Sequence, residues 1–311
     1  MSAGRAIPIA RRLRHDRMLL IACLSATTLA VAVLSALLIS VFIQGLSSLD
    51  WHFLSSYASR KAANAGILAP LMGTLWVCAI CGLIAVPLGV ATALYLEEYA
   101  PRTRLRSLVQ LNIANLSGVP SIVYGILGLA AFARCFGAIS TDDPWTLGSP
   151  DSLFFLQLPF GRGVLAGGLT LALVVLPIMI IAAQEALRTV PKSLRHAALA
   201  LGSTRWQVVW KVTLPAALPT MMTGAILSMS RAIGEAAPLL VIGGVLLLFS
   251  VPENLMSDFT VLPLQIYNWA GRPQDDFHKI AAGAIIVQLV LLLLFNSVAL
   301  FIRHKLQRPL Q

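Results

Sequence analysis

Six apolar runs, each of about twenty residues or more, decide what this chain can become. They cover residues 18–43, 69–96, 108–136, 164–186, 215–249 and 280–302. About twenty helical residues cross the hydrocarbon core of a bilayer, and a helix satisfies its own backbone polar groups there. The chain is 58% hydrophobic and 12% charged, whereas soluble domains are usually about a quarter charged. These features predict an all-α polytopic membrane protein with about six transmembrane helices and no separate soluble domain.

The net charge of +10 raises nucleic acid as a partner, but the basic residues lie scattered between apolar runs instead of on one soluble face. Their distribution reads as topology. With the amino end inside, one face collects Arg5, Arg11, Arg12, Arg14 and Arg17, then Arg102, Arg104 and Arg106. It also collects Arg188, Lys192, Arg195, Arg205 and Lys211, then Arg303, Lys305 and Arg308. The other face holds Arg60, Lys61, Arg162, Arg272 and Lys279, with Arg134 free to snorkel from the outer end of the third run. This positive-inside bias predicts that both termini are cytoplasmic, that membrane lipid surrounds the chain, and that no nucleic acid is a partner. The first run is too long for a signal-peptide core and lacks a small-residue cleavage site, so it reads as an uncleaved span.

Breaks in the pattern follow. The stretch Asn115-Leu-Ser-Gly118-Val-Pro120-Ser121 interrupts the third run. Pro120 removes a backbone donor and Gly118 loosens the chain, which predicts a bend covered by protein or a water-filled cavity. The loop over 137–162 carries Asp142, Asp143 and Asp151, and Gly163, Gly167 and Gly168 invite close helix approach. Glu185 and Arg188 read as a solvated pair at the end of the fourth span. Phe259, Tyr267 and Trp269 in the linker over 250–278 fit a membrane-interface belt first and a docking surface second. Cys23, Cys78, Cys81 and Cys135 all fall in apolar runs and read as small core residues. No Walker, HExxH or GxSxG pattern occurs, so no catalytic residue and no metal set is expected.

Two ionisable residues, Arg231 and Glu235, sit well inside the fifth run, where lipid exposure would cost each about 2.5–3.5 kcal/mol. Their i,i+4 spacing puts them on one helical face. Either they form a self-neutralising pair buried between helices, or they line a translocation path. In the second case the guanidinium would grip an oxyanion, and Glu235 would either restrain the guanidinium's position or compete for it. Gly234 and Pro238 alongside suggest an irregular helix and a cavity.

Between the fourth and fifth runs lies Ser193-Leu-Arg-His196-Ala197-Ala198-Leu-Ala-Leu-Gly202-Ser-Thr204-Arg-Trp206, continuing to Leu214 and Pro215. It is too basic for lipid. Ser193 reads as a helix cap, and Thr204-x-x-Gln207 as a capping box restarting helix past Gly202. Leu194, Ala198 and Leu201, then Trp206, Val209 and Trp210, fall at helical spacing. The prediction is two short helices bent at Gly202 and lying on a membrane face.

That segment resembles the coupling loop of ABC-importer permeases. Other stretches sharpen the likeness: Ala85-Val-Pro-Leu-Gly-Val90, Tyr95-Leu-Glu-Glu-Tyr-Ala100, Gly118-Val-Pro-Ser-Ile-Val-Tyr-Gly125, Arg231-Ala-Ile-Gly-Glu235 and Ala237-Pro-Leu-Leu240. With Asn268-Trp-Ala-Gly-Arg-Pro-Gln274 they resemble the phosphate ABC-transporter permeases of the PstA type. The resemblance implies a type I importer (MetI-like) core over 67–303, with a coupling helix at about 193–214. Residues 1–17 and 304–311 would be cytoplasmic tails, and 18–66 a first helix with its outer loop. It further implies a C-type permease partner, a dimer of ATP-binding subunits and an extracytoplasmic phosphate-binding protein at a bacterial inner membrane. ATP and magnesium would be held by the ATP-binding subunits, with no cofactor on this chain. Substrate-path residues would be Arg231, Glu235, Gly118, Pro120 and Ser121. ATPase-coupling residues would be Ser193, His196, Ala197, Ala198, Gly202, Thr204, Trp206 and Pro215. The coupling motif usually begins with Glu, where this chain has His196, and a protonated imidazole would oppose the helix dipole at that end.

Other readings stay on the same residues. The scaffold could import molybdate, sulfate or a phosphonate. An ATP-independent channel with Arg231 and Glu235 as its filter would leave the coupling segment unexplained. A membrane enzyme would need His, Asp or Cys clusters inside the spans, which the sequence lacks.

Overall fold

The computed structural model describes residues 9–137, 145–149, 152–153, 155–244 and 248–306, with side chains from residue 16 to residue 305. Residues 1–8 and 307–311, in the two expected tails, and Asp142, Asp143 and Asp151 lie outside that description. In chain order the helices are α1 (Ile9–Gly45), α2 (Trp51–Ser55), α3 (Leu68–Leu94), α4 (Arg104–Ser117) and α5 (Ser121–Gly128). A short antiparallel ribbon, β1 (Trp145–Leu147) and β2 (Leu156–Leu158), precedes α6 (Val164–Thr189) and α7 (Lys192–Ala200). Then come α8 (Arg205–Val208), α9 (Leu214–Gly234), α10 (Ala237–Ile242), α11 (Leu262–Ala270) and α12 (Asp275–Leu306).

Among the described residues, five helical segments are long and apolar enough to cross a membrane, and a sixth exists only if the bent pair α4–α5 counts as one span. The third apolar run therefore folds as the interruption predicted. The helix ends at Ser117 and restarts at Ser121 with its axis turned by 103°. Pro120 lacks the N–H that would carry the helix through, and Tyr124 fastens the bend by donating its hydroxyl to the Leu116 carbonyl at 2.8 Å.

The centre of the molecule is the crossing of α3 with α6, against which α9 packs. Gly168 makes the crossing possible: a Cβ there would lie 2.6 Å from Ile80 Cγ2, so the missing side chain is the space Ile80 occupies. One apolar cluster joins Val77, Cys81, Val164, Leu171, Met229, Leu239 and Phe259 in this middle layer. A second, from Ala93, Met179, Leu187, Val190, Ala217 and Met221, closes the end where α3 and α6 stop. At the opposite end Phe53, Leu262, Trp269 and Phe277 form a third, with the Phe53 and Trp269 rings 6.1 Å apart. There Thr74 Oγ1, at the start of α3, accepts the Leu262 amide at 2.9 Å and so tethers α11.

Several expectations are corrected. Phe259 and Trp269 are not an interfacial belt, because both are fully buried where the linker folds back onto α3, and only Tyr267 faces outward. The fifth span does not start at Pro215 and run to residue 249. It is a continuous helical stretch over Arg205–Gly234. Its far end is broken by Gly234 and by Pro238 at the start of α10. Helix α1 is exposed along its apolar length and packs against α12.

Candidate functional site

The polar segment after α6 folds into α7, a tight turn and α8. The turn is closed at Gly202, whose φ of +84° lies in the left-handed region that glycine enters without a Cβ penalty. The amides of Gly202 and Ser203 donate to the carbonyls of Leu199 and Ala198, which terminates α7. Thr204 then restarts the helix with both capping-box bonds. Its hydroxyl accepts the Gln207 amide at 3.3 Å, and Gln207 Oε1 accepts the Thr204 amide at 2.9 Å. The predicted bend and restart are therefore present.

Two details differ. Pro191, not Ser193, occupies the cap position of α7, which places Ser193 at the second helical residue and His196 one turn in. The Ser-x-x-His capping argument lapses, because Ser193 is already inside the first turn instead of at the cap, and His196 lies beyond the free amides. Secondly, α8 does not lie as a separate helix. A π turn over Val209–Thr213 carries it into α9, with Pro215 in the first turn of that helix. Ala197, Trp206, Leu194 and Leu201 are exposed and Ala198 is half-buried, while Val208 and Val209 turn into the core. The Trp206 and Trp210 rings lie 5.3 Å apart. An exposed surface bearing tryptophans and leucines at the tip of a bent helical segment suits a protein partner.

What anchors this segment was missed in the sequence. Helix α3 ends in a π turn, Tyr95–Tyr99, which carries Glu97 and Glu98 side by side. Glu97 Oε1 accepts from Arg188 Nη2 at 2.7 Å, Arg188 Nε at 3.1 Å and Gln184 Nε2 at 3.2 Å. Its Oε2 accepts from Arg106 Nη2 at 3.3 Å. Glu98 Oε1 lies 2.9 Å from Arg195 Nη2, and the same nitrogen donates to the Leu187 carbonyl at 2.7 Å. Arg195 thus pins α7 to the ends of α3 and α6. Both carboxylates are only 12% exposed and their partners Arg106 and Arg195 only 16% and 20%, so those two pairs are shielded more than surface pairs, whereas Arg188 is half-exposed. Arg188, expected to pair with Glu185, is instead held by Glu97. The available signal was two adjacent acids ending an apolar run, with three arginines just beyond.

The second predicted region is the break after α9. Arg231 Nε donates to Glu235 Oε1 at 3.1 Å, as the i,i+4 spacing required. The pair is not deep inside a span: it sits at the terminus of α9, with Arg231 51% and Glu235 16% exposed. Freed backbone is answered by a neighbour, since Gln288 of α12 donates to the Ile233 carbonyl at 3.4 Å. Ser230 donates to Asn296 Oδ1 at 2.6 Å and fixes α9 to α12. Neither Nη group of Arg231 has an acceptor among the described residues.

The two irregular segments meet one step further on. Helix α5 lies against α10 so closely that a Cβ on Gly125 would stand 2.8 Å from Pro238 Cα. Gly118 and Pro120 are exposed and Ser121 is half-buried at the bend. No hydrogen bond joins Ser121 to the Arg231–Glu235 pair among the described residues. Nor, among those residues, do three His, Cys, Asp or Glu side chains gather to hold a metal ion.

Comparison with known proteins adds the following. Residues 85–309 match the family described as the binding-protein-dependent transport system inner membrane component. Over 287 residues the chain is 32% identical to the probable ABC transporter permease protein YqgI of Bacillus subtilis (strain 168), covering 87% of this chain and 90% of that one. It is similar at 32% identity to the phosphate transport system permease protein PstC of Mesorhizobium japonicum, covering 87% and 85%. It is also 32% identical to the phosphate transport system permease protein PstA 1 of Mycobacterium tuberculosis (strain ATCC 25618 / H37Rv), covering 76% and 70%. Overall identity therefore does not separate the A type from the C type. In shape the chain is similar to a subunit of a bacterial ABC transporter for the acidic polysaccharide alginate, with a TM-score of 0.65, 16% identity and coverage of 96% and 99%. It is also similar to a chain of the inward-facing MetNI methionine ABC transporter, with a TM-score of 0.56, 18% identity and coverage of 78% and 98%. Those two likenesses carry the fold alone.

Proposed function

This chain belongs to the binding-protein-dependent transport system inner membrane component family, and from that membership we propose that it is a permease subunit of an ATP-driven importer of inorganic phosphate. As a member it is a polytopic transport subunit of the inner membrane and not an enzyme. ATP hydrolysis resides in separate ATP-binding subunits, and a substrate-binding protein completes the machine. The finer assignment follows the sequence. The chain is the A-type subunit, favoured by Asn268-Trp-Ala-Gly-Arg-Pro-Gln274, and a C-type permease forms the other half of the path. Both termini and the α7–α8 segment face the cytoplasm, following the positive-inside bias. It carries no cofactor of its own.

The observation that carries the cargo assignment is the state of Arg231. It is a fixed cation at the end of an apolar span, held through Nε by Glu235 at 3.1 Å, with both Nη groups left over. A planar guanidinium oriented in this way presents two parallel donors to a tetrahedral oxyanion. Glu235 keeps the fork from collapsing onto backbone carbonyls. The breaks at 118–121 and 235–236 give the path its irregular lining, and phosphate permeases among the relatives support phosphate over other oxyanions. Movement of the ATP-binding subunits reaches the path through α7, which Arg195 ties to α3 and α6, and through α8, which continues into α9.

The test is uptake of labelled phosphate into vesicles holding this chain, the C-type partner, the ATP-binding subunits and the binding protein. Uptake should require ATP and yield to unlabelled phosphate, but not to sulfate or molybdate. Displacement by sulfate or molybdate would change the cargo, and uptake without ATP would overturn the coupling assignment.

A further inference from the structure

Outside the path described above, one recess at the α7 end concentrates charge. It is a cavity of about 640 Å³ enclosed by the ends of α3 and α6, the start of α4, and α7–α8. Six cations line it, Arg102, Arg106, Arg188, Lys192, Arg195 and Arg205, against two anions, Glu97 and Glu98. Three of the six are committed to those carboxylates. Arg102, Lys192 and Arg205 have no ion-pair partner among the described residues, and the buried Nε groups of Arg106 and Arg195 have no acceptor. Like charges gathered in a concave, partly dry recess repel one another more strongly than on an open surface, and unanswered guanidinium donors add to that cost. A compact dianion would relieve both.

We propose that this recess is a second anion site, distinct from Arg231, that binds a phosphate group between α7 and the ends of α3, α4 and α6. Arg102, Lys192 and Arg205 supply the uncommitted charge, and Glu97 and Glu98 hold the neighbouring arginines in place. The ligand bridges the coupling helix to the body of the permease, because Lys192 opens α7 and Arg205 opens α8 while Arg102 precedes α4. The group has two possible sources, free phosphate and the headgroup of an anionic lipid, and the site chemistry is the same for both. The inference stands on side chains at this end of the molecule and does not require phosphate to be the cargo.

The experiment uses the chain assembled with its permease partner in discs of phosphatidylcholine, without binding protein or ATP, at fixed ionic strength. Equilibrium binding of labelled inorganic phosphate is measured on the native chain, on Arg231→Gln, and on each of these with Arg102→Gln and Arg205→Gln added. The last two positions make no ion pair in the described structure, so their loss spares the fold. Saturable binding should persist in Arg231→Gln and weaken about tenfold or more when the Arg102→Gln and Arg205→Gln changes are added to that variant. A second arm adds phosphatidylglycerol to the discs and follows thermal unfolding. Stabilisation of the native chain but not of the double variant, with free phosphate failing to bind, would assign the site to a lipid headgroup. Binding indifferent to the double variant would overturn the proposal. So would the absence of both phosphate binding and lipid stabilisation, which would leave the recess to acidic side chains of the ATP-binding subunit.

Discussion

The molecule handles charge in two opposite ways at its two polar sites. At the end of α9, Arg231 and Glu235 pair within a single helical turn and leave the guanidinium half-exposed with donors to spare. At the α3 terminus, Glu97 and Glu98 gather arginines from α4, α6 and α7, as far along the chain as Arg195 is from Glu98, into a lattice between segments. The first arrangement holds one cation in readiness. The second fastens elements together. An ion pair between neighbours in sequence does little to fix tertiary structure, whereas pairs between distant segments at low exposure set the positions of those segments.

The largest expected effect comes from breaking the lattice at its centre. Glu97→Gln removes the charge shared by Arg106 and Arg188 and leaves two arginines facing each other in a partly dry recess. The expected loss is about 2–3 kcal/mol, below the figure for fully buried pairs because Arg188 is half-exposed. It is read as a lower unfolding temperature of the purified chain in detergent. Faster amide exchange in α7 should accompany it, since Arg188 and Arg195 share the end of α6. Unchanged unfolding and exchange would reduce the lattice to a surface feature and erase the contrast with Arg231.

The complementary change is Arg231→Gln. Uptake of phosphate by the assembled transporter should fall about tenfold or more, the loss expected for one charge-assisted donor pair. Stability should move by no more than about 0.5 kcal/mol, because an i,i+4 pair within one helix whose guanidinium is half-exposed contributes little. If assembly or unfolding temperature fell in step with uptake, the pair would belong with the lattice as a structural element. Glu235 would then be a clamp and not a positioning residue.

This contrast also explains what the sequence revealed. Features encoded within one turn were readable: the i,i+4 spacing of Arg231 and Glu235, the Thr204–Gln207 capping box, the left-handed turn at Gly202 and the bend at Pro120. Apolar length gave the spans, though not their ends. The fifth run stays apolar to residue 249 on both sides of Gly234 and Pro238, so its length does not show where the helix breaks. Contacts between distant segments leave little local trace beyond the two adjacent acids that close an apolar run. Nothing in the order of residues says that Glu97 meets Arg188, or that Trp269 and Phe259 turn inward, because those outcomes depend on how α3, α6 and α11 pack. Sequence proximity points Arg188 to Glu185, but the better-shielded Glu97 holds it.

The smallest effect separates local helix chemistry from partner contact. By the resemblance drawn from the sequence, His196 stands where a coupling motif would begin with glutamate, and a capping role would make that difference costly. The structure removes this role. Pro191 occupies the cap position, so His196 lies one turn in, beyond the free amides and near the limit of the dipole's reach. A carboxylate there would gain only a weak i,i+4 interaction with Lys192, in the less favourable order, worth a few tenths of a kcal/mol at most. His196→Glu should therefore leave the unfolding temperature unchanged and hold phosphate-stimulated ATP turnover of the assembled complex within about twofold. A collapse of turnover with stability intact would mean that the imidazole itself touches the ATP-binding subunit. The exposed face of α7, and not the lattice beneath it, would then set the strength of coupling.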